Sequence, residues 1–279
     1  MTEILSFYSV AQSQGKRTIS LAYADLLAQN EHSVLYVELD YKRSSVAIAT
    51  QISDDEKNAN LFFQNTALRN SFDVTPFVLT KDHLIKNSDR AKRKIHSTLH
   101  NKIEYLIFPL GFGEDGFPTL IKEDENEKEA EEYISKLIYS LRSTKYDYVV
   151  LNLPIELYSI FGIEVLNNSD HILNVVTPSA TRLYENQRMK DFLLNSLPDL
   201  KNKWFTIVNM ASREVSDREY YELVSDEPVM IYFDPDRQQE ELSFQLGSKE
   251  IQHRLEELAS RMGIEIEMSS KKKSVFSRR

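Results

Sequence analysis

Ser6-Phe7-Tyr8-Ser9-Val10-Ala11-Gln12-Ser13-Gln14-Gly15-Lys16-Arg17-Thr18-Ile19-Ser20 is the stretch on which the reading of the whole chain turns. An apolar strand, Ile4 to Val10, leads into it. A helical pattern carried by Ile19, Leu21, Ala22, Ala24, Leu26 and Leu27 leads out of it. In a strand–loop–helix setting, free backbone N–H groups and the positive end of a helix dipole face a phosphate. A complete phosphate loop has two glycines, then Lys, then Ser or Thr. Here Gly15-Lys16 is kept, and the earlier glycine position holds Val10 or Ala11, according to the alignment. Arg17 replaces the hydroxyl that would hold Mg²⁺, and Thr18 comes one place late. The stretch reads as a phosphate loop that lacks several parts of an ordinary ATPase.

Composition sets the outer bounds. With 279 residues the chain can bury one large core or two small ones. Its 41% hydrophobic and 28% charged content is that of a soluble globular protein. A net charge of −9 argues against a chain that coats nucleic acid, although it leaves room for a local basic patch. There is no cysteine, which excludes disulfides and thiolate metal sites and fits a reducing, cytoplasmic setting. The N-terminus shows no basic-then-apolar signal segment. No apolar run reaches the roughly 18–20 residues needed to span a bilayer. The six histidines are scattered without metal-ligand spacing, and only seven glycines are present, too few for a glycine-rich binding loop.

Strand and helix patterns alternate along the chain. After Ile4–Val10 and the helix Ile19–Gln29 comes a strand, Ser33–Leu39, ending at Asp40. Residues 53–71 read as polar and irregular, and a mixed helical stretch covers roughly Lys81–His100. The next strand is Ile103–Pro109, followed by a loop from Gly111 to about Asn126. Glu127–Ser143 is an amphipathic helix with Ala130, Ile134, Leu137, Ile138 and Leu141 on one face. Tyr146–Leu153 is an almost continuous apolar run, as in the middle of a parallel sheet. Helix Ile163–Asn168, strand His171–Val176, helix Arg182–Ser196, strand Trp204–Asn209, strand Val229–Phe233 and helix Ser248–Met262 complete the series. Repeated βα units of this kind imply an α/β fold, a doubly wound and mostly parallel sheet flanked by helices. The expectation is one domain over 1–268 and a basic, structureless tail over 269–279.

The order of segments resembles the MinD/ParA family of deviant P-loop ATPases, and is closest in look to its CpaE/TadZ branch, which positions pilus-assembly machinery. Five segments carry the resemblance. They are the altered loop Val10–Thr18; Val34-Leu35-Tyr36-Val37-Glu38-Leu39-Asp40, like a strand ending in Asp-x-Asp; and Asn101–Pro109, like a strand ending in Leu-Pro. The fourth is Tyr146-Asp147-Tyr148-Val149-Val150-Leu151-Asn152-Leu153-Pro154, leading into Ser169–Pro178. The fifth is Ile207-Val208-Asn209, like the strand end near the adenine; the later Ile231–Asp236 resembles the family's I-P-Y-D-P turn.

The resemblance implies ATP or ADP as ligand, with Gln14, Gly15, Lys16, Arg17, Thr18, Asn152 and Asn209 as the binding positions. It leaves Mg²⁺ open. The family's signature lysine, which reaches the partner's phosphates across a dimer, falls on Ala11. The metal-side carboxylate falls on Asn152, which is neutral and a poor anchor for Mg²⁺ and its water. Asp40 is the catalytic candidate that remains, placed to orient a water, and Glu38 keeps a carboxylate beside it. Phosphoryl transfer is mostly positioning and charge neutralisation, so three altered parts imply severely weakened hydrolysis.

The functional expectation is a localisation or assembly factor with a degenerate ATPase site. Its partners would be a pilus, secretion or division protein and a second copy of the chain, and nucleic acid is not expected. Two alternatives stand beside it: a slow but genuine ATPase using Thr18 after a loop shift, and a nucleotide-free scaffold. The bland readings are a solvated Lys16, an Asp40 that caps a turn, and Asn152 and Asn209 as structural hydrogen bonders. In the tail, Lys271, Lys272, Lys273, Arg278 and Arg279 flank Val275 and Phe276. Each cation near an anionic membrane contributes about 1 kcal/mol, so the tail reads either as an idle end or as a peripheral contact with the inner face of a membrane.

Overall fold

A computed structural model describes residues 2–41, 45–50, 57–86, 98–110, 127–157, 159–224, 226–237, 239 and 249–267. The expected loop at 111–126, most of the second half of the 81–100 stretch and the basic tail lie outside these residues. Seven strands form one sheet: β1 (Glu3–Tyr8), β2 (Val34–Glu38), β3 (Ile103–Leu106), β4 (Tyr148–Asn152), β5 (His171–Val176), β6 (Trp204–Ala211) and β7 (Val229–Tyr232). Their order is β3-β2-β4-β1-β5-β6-β7, and every neighbouring pair is parallel. Parallel pairing demands crossovers. The described helices are α1 (Lys16–Gln29), α2 (Ser45–Thr50), α3 (Ala59–Arg69), α4 (Lys81–Lys86), α5 (Glu127–Arg142), α6 (Ile163–Asn167), α7 (Ala180–Ser196), α8 (Asp217–Val224) and α9 (Lys249–Arg261).

The apolar runs of the central strands make sense because helices cover both faces of the sheet. Side chains alternate between two cores. Leu5 and Phe7 of β1, Tyr36 of β2 and Val150 of β4 point to the core shared with Ile19, Tyr23 and Leu27 of α1 and Leu255 and Leu258 of α9. Ile4, Tyr8, Leu35, Val37, Val149 and Leu151 point to the other core, built with Phe62 and Phe63 of α3 and Ile134, Leu137 and Leu141 of α5. A smaller third core joins Val176, Leu183, Val208, Tyr220, Val224 and Met230 at the β7 edge.

Three expectations change. Residues 59–69 form a helix rather than irregular chain. Asn58 caps it by accepting from the Leu61 N–H at 2.9 Å, and the adjacent Phe62 and Phe63 bury together, which hides the helical period. Helix α1 begins three residues earlier than its apolar pattern, at Lys16. Helix α8 and a 3₁₀ turn, Pro198–Lys203, occupy stretches read without structure.

Candidate functional site

β1 lies at the middle of the sheet, with β4 on one side and β5 on the other. In open parallel sheets, ligands bind beyond the carboxyl ends of such strands, where connections diverge. The loop after Tyr8 passes through two left-handed residues, Ser13 at φ 60° and Gly15 at φ 82°. Gly15 is the N-cap of α1 and brings no side chain to its first N–H groups, which have no acceptors within the helix. A Cβ at Gly15 would stand 2.2 Å from Asn209 Nδ2. Both the backbone angle and this close approach require glycine.

The loop is held from three sides. Gln14 is buried, and its Oε1 accepts from the Thr177 N–H at 2.6 Å and from Thr177 Oγ1 at 2.9 Å, at the end of β5. Its backbone carbonyl accepts from Asn209 Nδ2 at 2.7 Å, at the end of β6. Asn209 Oδ1 in turn accepts from Arg237 Nη1 at 2.7 Å, and Arg237 is only 5% exposed. On the third side Lys16 Nζ donates to the Leu153 carbonyl and forms an ion pair with Asp40 at 3.6 Å. Lys16 is 6% exposed, so it is not a solvated surface lysine. Burial pulls its pKa down to about 8, against the opposing pull of Asp40. Asp40 is thus an ion-pair partner of Lys16.

Ala11, Gln12, Ser13, Gln14, Gly15, Lys16, Arg17, Thr18, Asp40, Ile155 and Met210 enclose a cavity of about 300 Å³. The loop candidates and Asp40 therefore meet in one place. Asn152 and Asn209 do not line it. Asn209 sits behind Gly15, and Asn152 is fully buried beside Glu38, its register partner on β2, with Nδ2 donating to Glu38 Oε1 at 3.5 Å. The tail residues Lys271, Lys272, Lys273, Phe276, Arg278 and Arg279 fall outside the described residues. Sequence reasoning missed Arg237, Thr177 and Met210. Thr177 stood inside a quoted segment, but nothing in the pattern after β7 marks Arg237 as buried.

These residues fit a phosphate group. A glycine-gated turn, a helix N-terminus without a side-chain cap and a polar cavity are in place. They do not fit Mg²⁺ equally well. Arg17 stands where the resemblance places the metal's hydroxyl ligand, Asn152 is not among the residues that line the cavity, and Asp40 is engaged by Lys16. No cluster of three His, Asp or Glu suited to a metal occurs among the described residues.

No family model and no curated protein sequence matches the chain. Solved structures do. A ParA family ATPase from Chlorobium tepidum superposes with a TM-score of 0.63 at 17% identity, over 93% of this chain and 99% of that one. The MinD cell division protein of Aquifex aeolicus gives 0.61 at 15% identity, over 96% and 100%. A Cyanothece McdA–ATP complex gives 0.67 at 14% identity, over 96% and 99%. The chain thus has the P-loop NTPase-like fold of the ParA and MinD ATPases along nearly its whole length.

Proposed function

We propose that this chain is a ParA/MinD-type positioning factor that holds a nucleoside polyphosphate on the loop 14–18 and hydrolyses it at or near background. The observation that carries the reading is the start of α1. A helix N-terminus favours negative charge by about 0.3–1 kcal/mol per group, yet the first turn of α1 holds no acidic residue and begins Lys16-Arg17. Asp40 meets Lys16 at 3.6 Å, and the two cations and the dipole together favour a further anion on the loop. The cavity of about 300 Å³ is at the small end of ligand sites and suits a phosphate chain better than a whole nucleotide. The McdA neighbour is an ATP complex, which supports the same ligand class here. Arg17 supplies charge where a metal would, so binding depends little on Mg²⁺.

Calorimetric titration of ATP with Mg²⁺ and with a chelator tests this. Comparable affinity in both, lost in Lys16→Ala, is the expected result, with turnover at background. Strict Mg²⁺ dependence with turnover above background that is lost in Lys16→Ala favours the second reading, a slow ATPase using Thr18, which also lines the cavity. Absence of binding leaves a nucleotide-free scaffold.

The CpaE/TadZ-like role, a partner from a pilus, secretion or division machine, and a homodimer belong to this reading. The neighbours include a cell division MinD and a ParA ATPase, which supports partner-directed positioning. No described helix is long and apolar enough to cross a membrane. Membrane contact would then rest on Lys271–Lys273, Phe276, Arg278 and Arg279. Co-sedimentation with anionic vesicles, intact against a 269–279 deletion, checks it; equal pelleting leaves the tail no such role.

A further inference from the structure

The ammonium of Lys16 is held by the sheet. Nζ donates to the Leu153 carbonyl, and Asp40 Oδ2 stands 3.6 Å from it. Neither acceptor is on a free length of chain. Leu153 follows the last residue of β4, and its N–H donates to the Phe7 carbonyl of β1 at 3.1 Å. Asp40 lies two residues past the end of β2, and its backbone is pinned to β4. The N–H groups of Leu39 and Asp40 both donate to the Asn152 carbonyl, at 2.9 Å and 3.1 Å. Lys16 and Asp40 are both buried, so salt and water screen their attraction little.

Both residues also line the cavity of about 300 Å³ that the loop borders. A phosphate on the N–H groups of loop 14–18 therefore meets, in one small space, the ammonium that attracts it and the carboxylate that repels it. Two anions that share a site disfavour one another's charge. The ammonium has three donors and one stem; it cannot move fully toward the phosphate while it stays on the carboxylate. Because β4 holds the Asp40 backbone, release of Lys16 takes a change of the Asp40 side-chain rotamer and no shift of the strand end.

We infer that Asp40 is a competitor built into the phosphate site: its carboxylate holds Lys16, and a polyphosphate binds by taking the ammonium from it. The inference rests on the proposal that loop 14–18 binds phosphates, and adds what sets the affinity there. That affinity is reduced by the fraction of the protein in which Asp40 keeps Lys16. The full chain is titrated calorimetrically with tripolyphosphate and a chelator at pH 6. This lies well below the Lys16 value of about 8, so the ammonium keeps its proton when the carboxylate is removed. The expected result is binding about tenfold tighter in Asp40→Asn than in the parent. No such gain should follow when Asp40→Asn is added to Lys16→Gln, because the competition acts through the ammonium. An equal gain in the Lys16→Gln background overturns the inference, since Asp40 is then only a like charge beside the ligand. Asp40→Asn binding no tighter than the parent overturns it too, and either result leaves phosphate binding standing. If loss of the carboxylate unfolds the chain, the parent gives the answer: the ¹³C signal of the Asp40 carboxyl carbon moves as tripolyphosphate is added, and a signal unmoved at saturation overturns the exchange. Failure of the parent and Asp40→Asn alike to bind overturns both proposals.

Discussion

Asn152 Nδ2 and Glu38 Oε1 lie 3.5 Å apart on adjacent strands, both with no exposed surface. The amide can face the carboxylate because it donates; its own Oδ1 is left without a partner among the described residues. The two positions share a register. A neutral residue on β4 is thus paired with an acid on β2, and the carboxylate missing from one strand is present on its neighbour.

Placing an acid on β4 at position 152 is therefore expected to harm the fold rather than to create hydrolysis. Asn152→Asp sets two buried carboxylates side by side, which cannot both ionise cheaply. The loss should be about 3 kcal/mol at neutral pH. The pair's pKa is raised in the folded state, so the folded protein holds a proton that the unfolded chain has lost, and stability returns as pH falls. Urea unfolding at pH 5 and pH 8 measures this; a variant as stable as the parent at pH 8 refutes it.

Gly15→Ala combines a left-handed backbone with a 2.2 Å approach to Asn209 Nδ2. Left-handed geometry alone costs about 1–2 kcal/mol, and the close contact displaces the amide that holds Gln14. Loss of at least about 2 kcal/mol and of polyphosphate binding is expected, read by thermal unfolding and calorimetry. Gly263→Ala is the control: it also has positive φ, 76°, but nothing lies within 4 Å of an added Cβ. It should show backbone strain with binding intact.

Lys16 predicts a pH profile. Its pKa is lowered to about 8 by burial. Anion affinity that needs the ammonium should fall about tenfold between pH 7 and pH 9, since each unit above the pKa removes a factor of ten of the charged form. At pH 8, binding should take up protons, detectable as buffer-dependent heats. Folding stability moves the other way. Between about 8 and the ordinary lysine value of 10.5, the unfolded chain holds a proton that the folded one has released, so this group's contribution rises with pH. Lys16→Gln should flatten the affinity profile; an unchanged profile would rule out Lys16 as its source.

Arg237→Met removes the donor to Asn209 Oδ1 while keeping much of the volume. An unsatisfied buried amide oxygen costs about 1–3 kcal/mol. Polyphosphate affinity should drop severalfold through the slackened loop, and Arg237→Lys should recover part of it. Equal stability loss with unchanged affinity would make Arg237 a packing residue only.

Much of this fold was legible because the central strands are buried on both faces and so read as continuous apolar runs, Tyr148–Asn152 most clearly. Lys16 and Asp40 were legible as a pair of strand-end and loop residues. Their mutual ion pair was not, because it joins residues 24 positions apart in sequence across β1 and β2. α3 escaped because burial of two successive phenylalanines follows no helical period. Arg237 escaped for a different reason: a buried arginine is defined by what surrounds it, and its partner Asn209 lies 28 residues earlier.

Helix α1 connects two attachments. At its N-terminus is the loop; at its C-terminus, Asn30 Oδ1 accepts from the Glu267 N–H at 2.7 Å, and His32 meets the Glu265 carbonyl at 3.2 Å. The chain that continues into the basic tail is thus moored to the far end of the same rod, whose 14 residues span about 21 Å. With α9 packed along it through the shared core, a force on Glu265 or Glu267 is delivered to the last turn of α1 and, through a stiff lever, to Gly15. A pull on residues 265–267 is thus felt at the loop that ends in Gly15.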